Sequence, residues 1–312
     1  MIAPEIQEEI DRFAEAQLGD FLSTPPDTLR HYTHGSTLVK IIESGTLWAT
    51  QVSCLNDQTE HRYSITLLRD SVSDLRTARG PAVVEREGYF FDKMNEALSG
   101  DTTSSVGMFV TCFSALSDDL SQWRAYGGGE GGYAIGFDAD WLGTIGAQRG
   151  DILAPVRYDE KRNREFAGSV ANVMFDIFLH APQTTTPGKD RDAWMADYLT
   201  YWSDQLTPYA VLIKHPSFQT EAEWRCIRIL RPEDALLLEF QQRQSMMSRH
   251  LPRKFPPPEH PDAKLLPISQ IIVGPCRHRE VSRISIGDLL LKASYPDDRI
   301  MVTVSAVPFQ AL

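Results

Sequence analysis

Apolar residues along the chain recur in two rhythms, and the switches between them mark out its elements. Residues 4 to 22 set Ile6, Ile10, Phe13, Leu18 and Phe21 at helical spacing with acids between them, which predicts an amphipathic helix. Thr24-Pro25-Pro26-Asp27 ends it, because proline cannot continue a helix. A short strand closing at Thr33 comes next. Ser36 or Thr37 then caps a helix with Leu38, Ile41 and Ile42 on one face, and Gly45 suits its C-terminus. Thr46 to Val52 reads as a strand, Tyr63 to Leu75 as a helix, and residues 76 to 105 as further helix and a polar loop.

The middle of the chain is organised around Met108 to Asp138. Met108 to Phe113 is an apolar run that reads as a buried strand. Ser117 or Asp118 can cap a short helix carrying Leu120, Trp123 and Tyr126. Glycines 127 to 132 stop that helix, and Tyr133 to Phe137 resumes as a strand. Further on, residues 156 to 158 read as a short strand, Phe166 to Leu179 and Ala193 to Leu206 as helices, and 182 to 189 as a loop. Glu223 to Leu230 reads as a strand whose alternation sets Glu221, Glu223 and Arg225 opposite Trp224 and Cys226. Residues 238 to 264 read as a proline-rich connection. A strand over Ile268 to Gly274, a helix over Val281 to Leu291 and a last strand over Ile300 to Val307 close the chain. The expected organisation is an N-terminal helix over 1–28 and a single α+β domain over 29–312.

Composition narrows the functional classes. A net charge of -11 argues against a broad nucleic-acid-binding face, though Arg243, Arg249, Arg253 and Lys254 could line a local basic groove. The four cysteines have no metal-ligand spacing and fit reduced thiols. With no signal-peptide core and no apolar run of membrane length, the expectation is a cytoplasmic protein that spans no membrane.

Several residues carry candidate chemistry, each beside an ordinary structural reading. His31 suits either a buried, satisfied imidazole or a catalytic one. Glu221 and Glu223 would repel each other in a dry site unless Arg225 relieved them; an exposed edge strand with a salt bridge explains them equally. Asp57, Glu60 and His61 could be imagined around a metal, but their spacing matches no metal signature. The glycine run could let backbone approach a ligand, yet it lacks both nucleotide-loop fingerprints. Cys112, inside an apolar strand, reads as a packed side chain rather than a nucleophile.

The segments Leu29–Thr33, Leu55–Glu60, Cys112–Ser114, Trp123–Tyr126, Gly132–Phe137, Phe218–Arg225 and Ile272–Gly274 together resemble the bacterial family catalogued as domain of unknown function 2971. A second resemblance carries function. His31-Tyr32-Thr33, then Ser114 at a strand end, then Glu221-Ala222-Glu223 look like the ordered elements of ADP-ribosyltransferases. That resemblance implies a split, mixed β-sheet flanked by helices, with NAD as substrate and no metal. It implies Glu223 and Glu221 as catalytic carboxylates: Glu223 would stabilise an oxocarbenium-like transition state, and Glu221 would orient or deprotonate the acceptor. His31, Tyr32, Thr33 and Ser114 would surround NAD, with His31 donating to ribose or phosphate oxygens and Ser114 bracing the site. Trp123, Tyr126 or Tyr32 would stack on nicotinamide, and Arg124 would meet the pyrophosphate. The expected activity is ADP-ribose transfer to a macromolecule, protein or nucleic acid, or NAD hydrolysis, in a bacterial toxin or phage-defence effector. The competing classes are a non-catalytic nucleotide- or partner-binding module and a metal-dependent nuclease using Asp57, Glu60 and His61.

Overall fold

A computed structural model describes residues 2–55, 58–80, 84–99, 107–128, 131–181, 191–243, 246–256, 265–295 and 300–308. In chain order its elements begin with α1 (Pro4–Phe21), β1 (Thr28–Thr33), α2 (Gly35–Ser44), β2 (Leu47–Gln51), α3 (Gln58–Arg79), α4 (Glu85–Ser99) and β3 (Met108–Ser114). They continue with α5 (Leu120–Tyr126), β4 (Tyr133–Asp138), α6 (Ala139–Gln148), β5 (Asp151–Pro155), α7 (Glu160–His180) and α8 (Arg191–Ala210). The last are β6 (Glu223–Ile229), β7 (Glu239–Arg243), β8 (Met246–Arg253), β9 (Ile268–Val273), α9 (Arg279–Lys292) and β10 (Met301–Val304).

Where a single domain over 29–312 was expected, the chain forms two compact units, each assembled from three stretches. Unit 1 comprises Met1–Leu22, Leu55–Val106 and Val156–Ser217; unit 2 comprises Ser23–Cys54, Gly107–Pro155 and Phe218–Leu312. Unit 1 is built from α1, α3, α4, α7 and α8. Its helices converge on an aromatic core in which Phe90, Phe175, Phe178, Tyr198 and Trp202 are almost fully buried, and Trp194 stacks on Tyr198 at 5.1 Å. The expected N-terminal helix is present, with Ile6, Ile10 and Phe21 buried. Its apolar stripe serves this helical unit rather than a sheet.

Unit 2 is a mixed sheet flanked by helices. Among the described residues it has ten strands: the path β10-β9-β4-β1-β3-β2-β8-β7, with β6 on β3 and β5 on β6. β10 runs parallel to β9 and the other ladders are antiparallel. The ladders are long between β1 and β4 and between β3 and β6. Between β1 and β3 the ladder narrows to one register pair, Arg30 with Ser114. The main core lies on the face holding Leu29, Phe113, Phe137, Trp224 and Ile271, covered by Leu38, Ile41 and Ile42 of α2 and by Ile286 and Leu290 of α9. Gly45 ends α2 at φ 61°, a left-handed conformation that costs glycine nothing.

Three local differences from the sequence reading have physical causes. Residues 238 to 264 do not form one connection: β7 and β8 make a hairpin with Phe240 opposite Arg249, in a sequence whose prolines and arginines hide the alternation. The short strand expected at 156–158 is the ladder of β5 one step earlier, with Arg157 making an isolated bridge to Ile213. Nor do the arginines expected in a basic groove form one. Arg253 is buried against Asp151 at 2.7 Å, and Arg249 donates to Gln51 Oε1 at 2.7 Å. No helix among the described residues is long and apolar enough to cross a membrane.

Candidate functional site

The narrow seam between β1 and β3 holds the chemistry. Where two strands diverge, their facing main-chain groups lose ladder partners and need others. Here the ring of His31 enters the gap, and its Nδ1–H donates to the Cys112 carbonyl at 2.9 Å. A carbonyl only accepts, so this contact sets the tautomer. Burial pushes the imidazole pKa below its usual value, with the Cys112 carbonyl acting in the opposite direction. The neutral ring therefore carries Nε2 as an acceptor, not a donor.

A cavity of about 70 Å³ opens at this seam, lined by Arg30, His31, Tyr32, Cys112, Gln122, Tyr126, Glu221 and Glu223. Four segments supply these groups: strand β1, strand β3, helix α5 and the turn into β6. Glu223 begins β6 opposite Ser114, and Arg225 stands opposite Cys112. As alternation predicts, Glu223 and Arg225 share a face while Trp224 and Cys226 pack into the core. Arg225 Nε donates to Glu223 Oε1 at 2.8 Å and Nη2 to Oε2 at 3.0 Å. Both residues are buried, so the two-pronged pair fixes the carboxylate's plane and supplies its countercharge.

The turn that delivers Glu223 is strained. Ala222 adopts φ 43°, a left-handed conformation that costs a residue with a Cβ about 1–2 kcal/mol. Bonds on both sides hold it: Ala115 N–H donates to the Ala222 carbonyl at 2.9 Å, and Ser114 Oγ donates to the Glu221 carbonyl at 2.7 Å. Ser114 also accepts from Leu116 N–H at 3.1 Å. Ser114 thus braces the Glu221-Ala222-Glu223 turn and does not itself line the cavity. Gln122 on α5 also approaches the Glu221 carbonyl, at 3.5 Å.

Helix α5 is N-capped by Asp119, where Ser117 or Asp118 was expected. Asp119 accepts from the Ser121 and Gln122 backbone amides. Asp118 takes the Trp123 indole N–H at 2.8 Å and Ser305 Oγ at 2.6 Å. Trp123 is buried edge-on against Tyr32 at 4.7 Å, so it packs behind the cavity instead of offering a stacking face. The Tyr32 hydroxyl is also committed, donating to the Leu116 carbonyl at 3.1 Å. Burial raises its pKa to about 12, so it stays protonated. Tyr126, half open to solvent, is the ring that faces the cavity.

The remaining expected residues lie elsewhere. Arg124 is exposed on α5 and outside the cavity wall, and Thr33 is buried behind it. Within the described part of the glycine run, a Cβ on Gly132 would collide with Gly127 and one on Gly128 with the His34 ring. Cys112, read as packed, is half-buried and lines the cavity. Asp57 lies outside the described residues, as do the side chains of Glu60 and His61. Among the described residues, no group of three or more His, Cys, Asp or Glu is placed to hold a metal.

Sequence reasoning passed over Arg30 and Gln122. The signal for Arg30 was its place in a six-residue strand between buried Leu29 and His31, where a cation needs a reason to be. Unit 1 has a larger cavity, about 170 Å³, walled mostly by Leu, Met, Phe, Trp and Ala side chains. Its Ser64 and Thr207 hydroxyls donate to the Ala210 and Ser203 carbonyls.

A family model described as protein of unknown function (DUF2971) matches residues 122–226, from α5 into β6. That stretch takes in Gln122, Tyr126, Glu221 and Glu223, while Leu29–Thr33, Cys112–Ser114 and Ile272–Gly274 fall outside it. No curated protein and no solved structure matches the chain.

Proposed function

We propose that the unit 2 cavity cleaves the N-glycosidic bond of NAD, as an ADP-ribosyltransferase or NAD glycohydrolase on a split, ADP-ribosyltransferase-like sheet. The observation that carries this reading is convergence. His31 of β1, Ser114 at the end of β3 and the Glu221-Ala222-Glu223 turn that Ser114 braces, scattered through the sequence, meet at one seam in the sheet.

In this reading the bond between ribose C1′ and the nicotinamide nitrogen breaks, and its electron pair leaves with nicotinamide. Positive charge develops on the ribose. The fixed Glu223 carboxylate lies where it stabilises that charge and accepts a ribose hydroxyl. His31 Nε2 accepts a second hydroxyl, and Tyr126 faces the flat nicotinamide. Glu221 takes the proton of the attacking nucleophile, water or a group on a protein or nucleic acid. A bacterial toxin or phage-defence role is the setting in which such an activity would serve.

The test is nicotinamide release from NAD by the full chain, with and without cell lysate, beside Glu223→Gln. Loss of release in a variant that still unfolds cooperatively supports the reading, and lysate dependence separates transfer from hydrolysis. Because Glu223→Gln leaves Arg225 without its counterion, Glu223→Gln/Arg225→Gln serves as the partner variant. One observation favours a second reading, a binding module without catalysis: Glu223 is already engaged by Arg225 through both oxygens. NAD bound without nicotinamide release would select it.

A further inference from the structure

The helices of unit 1 pack unevenly, and their sequences say where. Toward the start of α4 and the end of α7, aromatic rings fill the space between them. Phe90 meets Phe175 at 5.3 Å and Phe178 at 5.1 Å. Toward the end of α4 and the start of α7 the facing residues include Ala97 and Ala167, and the cavity described above opens there among α3, α4, α7 and α8. Leu67, Met94, Val170, Met174 and Trp202 belong to its buried wall, while Ile65, Leu68, Leu98 and Leu206 are half-buried at its rim. No Asp, Glu, Lys, Arg or His stands on this wall among the described residues. Protein interiors close over most spaces larger than a water molecule, because wall atoms beside a void forfeit dispersion contacts. A unit that packs its aromatic end tightly and keeps this end open has left room for something.

We propose that the unit 1 cavity is a binding site for a neutral, apolar molecule the size of one aromatic ring. Its volume, about 170 Å³, is close to the roughly 150 Å³ of an engineered aliphatic cavity that stays dry and binds benzene. A charged ligand would lose its hydration here and find no countercharge on the wall. The Ser64 and Thr207 hydroxyls already donate to main-chain carbonyls, at 2.9 and 2.6 Å, so their protons are not offered to a ligand. A hydrocarbon ring gives up no hydrogen bonds on entering and restores the missing dispersion contacts. The half-buried aliphatic rim is where it would pass. This site goes beyond the NAD reading and rests on no part of it.

The experiment titrates the full chain calorimetrically with benzene and follows thermal unfolding in parallel. Ala97→Leu on α4 and Ala167→Leu on α7 each grow a side chain into the space from a different wall. Wild type is expected to bind benzene, with Tm raised by about 2 °C at ten times Kd. Benzoate, a ring of the same size that carries a charge, should not bind. Each variant should weaken benzene binding at least about tenfold, and at least one should melt no lower than ligand-free wild type, because it fills empty space. Absence of benzene binding by wild type would overturn the proposal, and variants that also melt higher would then identify a packing void only. Undiminished binding in both variants would place the ligand elsewhere, and benzoate binding as tightly as benzene would contradict an uncharged site; either overturns it. Failure of both variants to fold would show that the space is not free to be filled, and would overturn it as well.

Discussion

Strand β6 carries two clusters of buried charge on opposite faces, and only one of them is closed. Toward its C-terminal end, Arg228 donates through Nε and Nη2 to Asp234 at 2.9 and 2.7 Å, and also to the Arg149 carbonyl. Asp151 receives Arg253 at 2.7 Å and lies 3.8 Å from Arg228. Two acids and two arginines thus answer one another around the core. At the N-terminal end Glu223 and Arg225 form a similar pair, but it opens onto a cavity where Arg30 has no ion-pair partner among the described residues. The same sheet pairs its other buried arginines with acids, so the incomplete end is where a ligand site is proposed. Matched charge reads as architecture, and unmatched charge beside space reads as a site.

The largest expected effect tests the closed cluster. Asp151→Asn strands Arg253 and weakens the support of Arg228, and should cost about 3–5 kcal/mol in urea unfolding. A cost below about 1 kcal/mol would erase the contrast with Arg30→Gln, for which no loss is expected. Next, Ser114→Ala removes a donor to the Glu221 carbonyl and an acceptor for Leu116 N–H, and should destabilise by about 1–2 kcal/mol. If nicotinamide release is present, it should fall along with stability, because the turn that aims Glu223 loosens.

Ala222→Gly should stabilise the fold by about 1 kcal/mol by relieving the left-handed residue. Chemical denaturation reads this directly, and a loss instead would mean that the Ala222 methyl packs usefully at this turn.

The smallest effect is a pH dependence. His31 has a folded pKa below its unfolded value of 6.5, so the unfolded chain binds its proton first. Its contribution to stability is therefore flat above about pH 6.5 and becomes unfavourable as pH falls toward the depressed folded value. Melting temperatures at pH 7.5 and 5.5 should converge more closely in His31→Gln than in wild type. Equal drops would show that His31 ionises freely in the folded protein.

Much of the scaffold was legible because its signals are local. The β1 boundary at Thr33, the Leu38, Ile41 and Ile42 face of α2, the β3 run and the Trp123 helix all follow from spacing within one element. Alternation alone set Glu223 and Arg225 side by side. Local signals misled where composition masked periodicity, as in the β7–β8 hairpin, whose prolines and arginines read as loop. They also misled where a residue had two faces to choose from. Trp123 and Arg124 are adjacent in α5, yet one is buried behind the cavity and the other points to solvent.

What the sequence determined by itself was the set of elements and the side chains that share a face within each, because those follow from backbone period over a few residues. Tertiary structure decided the partnerships: His31 with the Cys112 carbonyl 81 positions away, Ser114 with the Glu221 carbonyl 107 positions away, and Arg225 with Glu223 at 2.8 Å. The reason is register. A one-residue slip between β1, β3 and β6 would turn each strand's side chains to the opposite face, and no period within a strand records which neighbour it will meet.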